Sequence, residues 1–144
     1  MVSRILTTHV GSLPRSKELS ELLFKKDKGE SFDKNLFDDV VKKNVEQVVN
    51  RQLDVGIDVI SDGEMSKISC ATYVKDRLKG FSGESERRAP KDLDDFPSYK
   101  ERIARTGGTP TYTRPCCTNE LKIKDITSLA KDIKNFKNAI TANN

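Results

Sequence analysis

The sequence contains no long hydrophobic run. None of its segments approaches the ~20 consecutive apolar residues of a membrane span, and its first residues lack the apolar core of a secretion signal. Cysteine is also scarce: Cys70, Cys116 and Cys117 are an odd number, which does not suit a disulfide framework. These absences argue against a membrane protein and against a disulfide-rich secreted domain. We therefore expect a cytoplasmic protein whose thiols are free.

Charge of one sign is not concentrated anywhere. The chain has 26 basic and 22 acidic residues, a net charge of +4 and a pI near 8.9, and segments such as FKKDKGE and VKDRLKG mix both signs. Nucleic-acid binders gather Lys and Arg on one face with aromatic residues between them. Because that pattern is missing, we interpret the surplus as solvated surface and expect neither nucleic acid nor a membrane as a partner.

Apolar residues are spaced as in an α/β domain. Residues 4–8 and 57–61 are short apolar segments typical of buried strands. Between them, Ser16 can cap a first helix that ends near Gly29, and residues 33–55 form a longer helix with Lys, Glu, Asn and Arg opposite its apolar stripe. The stripe consists of Leu36, Phe37, Val40, Val41, Val45, Val48, Val49 and Leu53. Strand, helices and strand in this order predict a parallel crossover unit.

The second half of the chain is less regular. Residues 65–79 have helical spacing, whereas 82–113 form a polar excursion with only Phe96, Tyr99 and Ile103 as apolar anchors. The segment PCCTNELKI is then typical of a strand, and a final helix follows an Asp cap. The cap is Asp125, and the residues of this helix predicted to face inward are Ile126, Leu129, Ala130, Ile133 and Phe136. By length, residues 1–144 make one domain.

Two corners follow the predicted strands. The first is His-Val-Gly-Ser at residues 9–12, and the second is Asp-Gly-Glu at 62–64. Ligands of parallel α/β folds bind at the carboxyl ends of strands. Gly11 allows close approach of the backbone, Ser12 adds a hydroxyl and an N–H, and Glu64 offers a carboxylate for an ammonium group. The corners could hold the two charged ends of an amino acid, although the same residue types also form ordinary turns.

Several segments resemble one protein family in order and spacing. They are ILTTHVGSLPRS, V..QLDVGIDVISDGE, YVKDRLKGF.GE, DFPSY and RPCCTNEL. The chain is similar to the cobalamin-independent methionine synthase family, in particular to its shorter single-barrel branch, which also resembles the epoxyalkane–coenzyme M transferases. The resemblance implies the amino-terminal portion of a (β/α)8 TIM barrel. It also implies transfer of a methyl group from a methyl-folate to the thiol of homocysteine.

The resemblance assigns substrate-binding residues to both corners. Val10, Gly11 and Ser12 match the family's Ile-Gly-Ser segment, which binds the amino-acid part of homocysteine. Glu64 matches the glutamate of the family's His-Gly-Glu segment, which contacts the same substrate, with Asp62 in place of the histidine. The resemblance therefore predicts a small-molecule thiol as the partner of these residues.

Other polar residues have less definite roles. Arg114 lies near the segment that meets the folate in the full family enzymes, and His9 either contacts substrate or lines the pocket. Cys116 and Cys117 are adjacent on a predicted strand and would point to opposite faces, so they rarely bind one ion together. All three cysteines are predicted to be small buried hydrophobic residues.

The resemblance further implies zinc in the complete enzyme, where a metal-bound thiol stays a thiolate at neutral pH. The family's ligands, a His-x-Cys pair and a later Cys, lie in the carboxyl-terminal half of the barrel, outside this chain. Since a barrel needs ~200 residues or more, the chain is expected to be too short to close and inactive alone. A second polypeptide could complete the barrel. Two alternatives stay open: alkyl transfer to another thiol such as coenzyme M, and a truncated non-catalytic remnant.

Overall fold

A computed structural model describes residues 4–83, 91–106 and 116–142. The elements in chain order are α1 (Lys17–Asp27), α2 (Lys34–Asp54), α3 (Cys70–Arg77), β1 (Leu78–Ser82), a 3-10 turn (Lys91–Leu93), α4 (Pro97–Thr106), β2 (Cys116–Ile123) and α5 (Thr127–Thr141). An α/β architecture is confirmed. No helix in the described ranges is long and apolar enough to cross a membrane.

Helices α1 and α2 supply most of the hydrophobic core. Ser16 caps α1 by accepting a hydrogen bond from Leu19 N, as predicted, and Asp33 caps α2. The buried core residues are Leu19, Leu22, Leu23, Phe37, Val40, Val41, Val45, Val48, Val49, Met65 and Ala139. The predicted stripe of α2 is confirmed except at its two ends, where Leu36 and Leu53 are exposed.

The two predicted strands beside these helices meet in one parallel bridge. Thr8 pairs with Val59, and Val59 N donates a hydrogen bond to Thr7 O at 3.0 Å. The two segments therefore run parallel as predicted, but the prediction that each forms a regular strand is wrong. The bridge does not extend into a longer ladder, because the Thr7 N–H is paired with a side chain. The Asp58 carboxylate accepts hydrogen bonds from Thr7 N at 2.8 Å and from the Arg4 guanidinium.

Several residues predicted to be buried are exposed. Ile5 is 92% exposed and Leu6 is 50% exposed, because no second strand covers residues 4–8 in the described part of the chain. Cys116 is half-buried and Cys117 is exposed, both as free thiols, because β2 pairs only with β1. The prediction of burial is therefore wrong for Ile5, Leu6 and Cys117, and the side chain of Cys70 is not described.

The predicted helix over residues 65–79 is shorter, and a hairpin follows it. A capping box between Ser69 and Thr72 starts α3, and the chain leaves the helix at Leu78 to enter β1. β1 pairs antiparallel with β2, with Leu78 opposite Ile123 and an irregularity between Lys79 and Phe81. The predicted strand β2 is confirmed. The prediction of helix through residue 79 is wrong, because pairing with this distant strand decides the conformation from Leu78 onwards.

The polar excursion contains regular structure, namely the 3-10 turn and α4. Phe96 and Tyr99 do not anchor it, since they are 60% and 52% exposed. The side chain of Ile103 lies outside the description. The expectation that these aromatic residues hold the segment to the core is therefore wrong.

Helix α5 packs on α2 through a face that matches the predicted one only in part. Phe136 is partly buried against the core, as predicted, and Ala139 is buried. Asp132 also lies on the inner side, in an ion pair with Arg77 at 2.8 Å that holds the polar face of the helix inward. The residues wrongly predicted to face inward are Ile126, Leu129, Ala130 and Ile133. Asp125 accepts a hydrogen bond from Thr127 N at 2.8 Å and stabilises the start of the helix.

Candidate functional site

Ser12 and Glu64 bring the two predicted corners into direct contact. Ser12 Oγ donates a hydrogen bond to Glu64 Oε2 at 2.7 Å. The main chains meet as well, since Leu13 N donates to Gly63 O at 3.0 Å. Residues 10–12 and 62–64 thus lie side by side just after the parallel bridge, and we call them the corner site.

The second corner has a strained backbone. Gly63 and Glu64 have φ angles of 63° and 57°, a left-handed conformation that costs a non-glycine residue about 1 kcal/mol. Asp62 Oδ1 accepts a hydrogen bond from Glu64 N at 2.9 Å and stabilises this turn. A Cβ at Gly63 would lie 2.9 Å from Met65 Cε and 3.1 Å from Leu13 Cβ. The absence of a side chain at Gly63 therefore permits the close approach of the first corner.

Arg15 joins both corners. Its Nη2 lies 3.2 Å from Ser12 Oγ, 3.0 Å from Glu64 O and 2.7 Å from Lys67 O. The guanidinium is half-buried, and this burial lowers the pKa of Arg15, while the Glu64 carboxylate acts to raise it. An arginine stays protonated even so, and it adds a fixed positive charge to the corner site. Sequence reasoning did not single out Arg15; its place shortly after the Gly-Ser corner was the available clue.

Two buried amides of α2 hold the chain on either side of the corner site. Asn44 Oδ1 accepts a hydrogen bond from Ser16 N at 3.1 Å, just after the first corner. Gln52 Nε2 donates to Ser61 O at 2.8 Å, and Gln52 Oε1 accepts from Ser61 N at 3.0 Å, just before the second corner. The prediction that asparagines lie opposite the apolar stripe is wrong for Asn44, because its amide satisfies main-chain groups inside. A polar residue in phase with the stripe is the pattern that could have revealed both.

The other predicted substrate-binding residues of the first corner are open to solvent. Val10 is 88% exposed. Gly11 has a φ of 95°, and a Cβ there would meet nothing within 4 Å. Its main chain is therefore accessible to a ligand. Arg114 lies outside the described residues.

His9 lies against α2. It borders a groove of about 280 Å³. The groove is lined by His9, Leu13, Pro14, Val48, Arg51, Gln52, Val55 and Ile57. His9 Nε2 is buried and has no hydrogen-bond partner among the described residues. Neither Ser12 nor Glu64 borders this groove, so the structure does not bring the imidazole together with the two polar side chains of the corner site.

The described residues do not fit a zinc ion. Nowhere in residues 4–83, 91–106 or 116–142 do three or more His, Cys, Asp or Glu side chains come together in a group that could hold a metal. This part of the chain therefore provides no set of ligands for zinc.

The fold and the geometry define an α/β protein with a polar site at the carboxyl ends of two parallel segments. Residues 5–140 match the family described as the catalytic domain of cobalamin-independent synthase. The chain belongs to this family, which confirms the resemblance drawn from the motifs.

Individual relatives agree with the family match. The chain is similar to the 5-methyltetrahydropteroyltriglutamate–homocysteine methyltransferase of Bifidobacterium longum, with 33% identity over 75 residues, which is 52% of this chain and 10% of the relative. The enzyme of the same name from Flavobacterium johnsoniae is 32% identical over 76 residues, which is 53% of this chain and 10% of the relative. A probable enzyme of that name from Schizosaccharomyces pombe is 32% identical over 75 residues, again 52% and 10%. The matched part of the chain thus spans about a tenth of the length of these relatives.

Proposed function

We propose that the corner site binds the amino-acid end of homocysteine, in a protein that transfers a methyl group from a methyl-folate to the homocysteine thiol. The observation that carries this proposal is the 2.7 Å contact between Ser12 and Glu64. It places a hydroxyl donor beside a carboxylate, and the α-carbon of an amino acid presents a carboxylate beside an ammonium group. The two pairs are complementary in charge and hydrogen-bonding capacity.

Binding replaces the Ser12–Glu64 hydrogen bond with two contacts to the ligand. The ammonium group donates to Glu64, and the released Ser12 hydroxyl donates to the ligand carboxylate. Main-chain groups of Val10 and Gly11 complete the carboxylate contacts. The thiol end extends away from these residues, so the corner site binds and orients the substrate and does not itself activate the sulfur.

The remaining parts of the reaction lie outside the corner site. We assign this chain to the amino-terminal portion of a (β/α)8 barrel, with the zinc ligands and the rest of the barrel supplied by further residues or by a second polypeptide. Arg114 is proposed to contact the folate, and His9 the substrate or the pocket wall. The 144-residue chain alone is accordingly expected to be inactive in methyl transfer.

Calorimetric titration of L-homocysteine into the reduced chain, in a metal chelator, tests the proposal. We expect binding that Glu64→Gln weakens about tenfold or more, because a hydrogen bond to a charged group contributes ~1.5–3 kcal/mol. Glu21→Gln, which changes an exposed glutamate of α1, is the matched control and should leave the affinity unchanged. Equal affinity in wild type and Glu64→Gln, or no binding at all, contradicts the proposal.

Titration of 2-mercaptoethanesulfonate, the thiol coenzyme M, distinguishes the alternative substrate. This thiol has a sulfonate and no ammonium group, so it cannot satisfy Glu64. We expect it to bind more weakly than homocysteine and to be insensitive to Glu64→Gln. Tighter binding of coenzyme M than of homocysteine would instead favour alkyl transfer to that thiol.

A further inference from the structure

We propose that Arg15 is a positioning residue that fixes the Ser12 hydroxyl as a hydrogen-bond donor and thereby makes the corner site selective for a carboxylate. This inference rests on the proposed function, because it concerns how the same site recognises the amino-acid end of its ligand. Arg15 acts through Ser12 and is not assigned a contact with the substrate.

The contacts of Arg15 lie on both corners. Nη2 lies 3.2 Å from Ser12 Oγ on the first corner, 3.0 Å from Glu64 O on the second, and 2.7 Å from Lys67 O just after it. Because Nη2 carries two hydrogens, one of them is shared between two of these acceptors. Arg15 Nε is buried and has no hydrogen-bond partner within the described ranges. The Nη2 contacts therefore determine where the guanidinium lies.

The hydrogen-bonding capacity of a serine explains the consequence. A hydroxyl has one hydrogen to donate and two lone pairs that accept. A guanidinium only donates, so the Ser12 hydrogen cannot point towards Arg15. In the structure this hydrogen points to Glu64 Oε2 at 2.7 Å. When the ligand's ammonium group occupies Glu64, the same hydrogen is available only to an acceptor on the ligand, and a carboxylate is the strongest acceptor.

Removal of the guanidinium frees the hydroxyl to rotate. Ser12 could then accept as well as donate, and the site would lose preference for an anionic acceptor. The expected effect is a loss of discrimination between ligands with and without a carboxylate, rather than a uniform loss of binding. A structural role alone would weaken both ligands equally.

The test compares L-homocysteine with homocysteamine, which has the same thiol and amine but no carboxylate. In the 144-residue chain, we expect Arg15→Met to lower the ratio of the two affinities about tenfold, mainly through homocysteine. Arg15→Lys, which keeps a cationic group that only donates, should restore part of the ratio. Arg102→Met changes an exposed arginine of α4 and should leave the ratio at the wild-type value.

A double-mutant cycle with Ser12→Ala separates positioning from charge. If Arg15 acts through the hydroxyl, Arg15→Met should change the ratio little once Ser12 is alanine. An undiminished effect in the Ser12→Ala background would show that the guanidinium attracts the carboxylate directly, which overturns the inference. So would an unchanged ratio in Arg15→Met.

The two proposals fail in different ways. If the wild-type chain does not bind homocysteine, the proposed function and this inference fall together. If wild type binds homocysteine through Glu64 but substitution of Arg15 leaves the ratio of the two ligand affinities unchanged, only this inference is contradicted. Thermal unfolding followed by circular dichroism checks that Arg15→Met is folded. If it is not, Arg15→Gln takes its place, because a glutamine amide can accept from Ser12 as well as donate to it. An unchanged ratio in that variant overturns the inference.

Discussion

Gln52 and Ser61 exchange two hydrogen bonds, one from the glutamine amide to the serine carbonyl at 2.8 Å and one from the serine N–H to the glutamine oxygen at 3.0 Å. The side chain of a helix residue thus pairs with an extended segment as a neighbouring strand would. Because Ser61 immediately precedes the Asp-Gly-Glu corner, this pair fixes the position of the corner relative to α2.

Gln52→Met should destabilise the protein by about 1–3 kcal/mol, because it leaves the half-buried main-chain groups of Ser61 without their partner. Urea unfolding followed by circular dichroism measures the change. Gln47→Met, on the exposed side of the same helix, should change the unfolding free energy by less than about 0.5 kcal/mol. Equal effects of the two variants would show that the Ser61 contacts do not stabilise the fold.

Gly63→Ala should lower the free energy of unfolding more than Gly56→Ala does. Both glycines have positive φ, 63° and 76°, so both variants incur the conformational cost of about 1 kcal/mol for an alanine in this region. At Gly63 the new methyl group would also meet Met65 and Leu13, whereas at Gly56 it meets nothing within 4 Å. The same urea titration should show a larger loss for Gly63→Ala. A loss no greater than that of Gly56→Ala would mean that the corners adjust without strain.

Leu19→Ala should destabilise the protein by about 2–5 kcal/mol, the range observed for truncation of a fully buried leucine. Leu19 is 0% exposed, whereas Leu53, at 42% exposed, provides the comparison on the other helix of the core. Leu53→Ala should cost well under half as much. Melting temperatures of the two variants and wild type give the ranking, and a reversed order would place the core elsewhere.

Asp58 should make the stability of the protein depend on acidic pH. Hydrogen bonds from Arg4 and from Thr7 lower the pKa of Asp58 below the ordinary carboxylate value. A carboxyl group whose pKa is lower in the folded state stabilises that state above its unfolded pKa of about 3.9, and this contribution is lost as pH falls towards the folded value.

Unfolding midpoints at pH 7 and pH 3 measure this contribution. The stability advantage of wild type over Asp58→Asn should shrink at pH 3. Asp39→Asn, on the exposed side of α2, serves as the comparison and should show little such change. An advantage over Asp58→Asn that is the same at both pH values would contradict the role of the Arg4 and Thr7 hydrogen bonds.

Local sequence patterns predicted the elements whose stabilising contacts are close in the chain. Ser16 and Asp33 cap their helices through backbone groups a few residues away, and the stripe of α2 is buried as its spacing indicates. β1 was not predicted, because its pairing partner is distant in the chain. Its first two residues, Leu78 and Lys79, continue the helical pattern, and only pairing with β2 makes them part of a strand.

Helix α5 shows the same limit in side-chain burial. Its apolar residues predicted one inward face, but the amphipathic pattern does not contain the partner surface. In the structure the ion pair of Asp132 with Arg77 lies on the inner side, and Leu129 and Ile133 are exposed. A charged residue on the inward face could not be expected from hydropathy alone, since its burial depends on a partner elsewhere in the chain.

The sequence by itself determined the helices of the core, the parallel crossover, the family and the residue types of the two corners, because these follow from periodicity, capping and motif. The tertiary structure decided how the corners meet: the hydrogen bond from Ser12 to Glu64, the link through Arg15 and the support from Gln52. The contacts of Glu64 with Ser12 and Arg15 join residues that are distant in the chain, whereas Arg15 and Gln52 reach Ser12 and Ser61 over a few residues. Their formation depends on the packing of α2 against both corners, which no local pattern encodes.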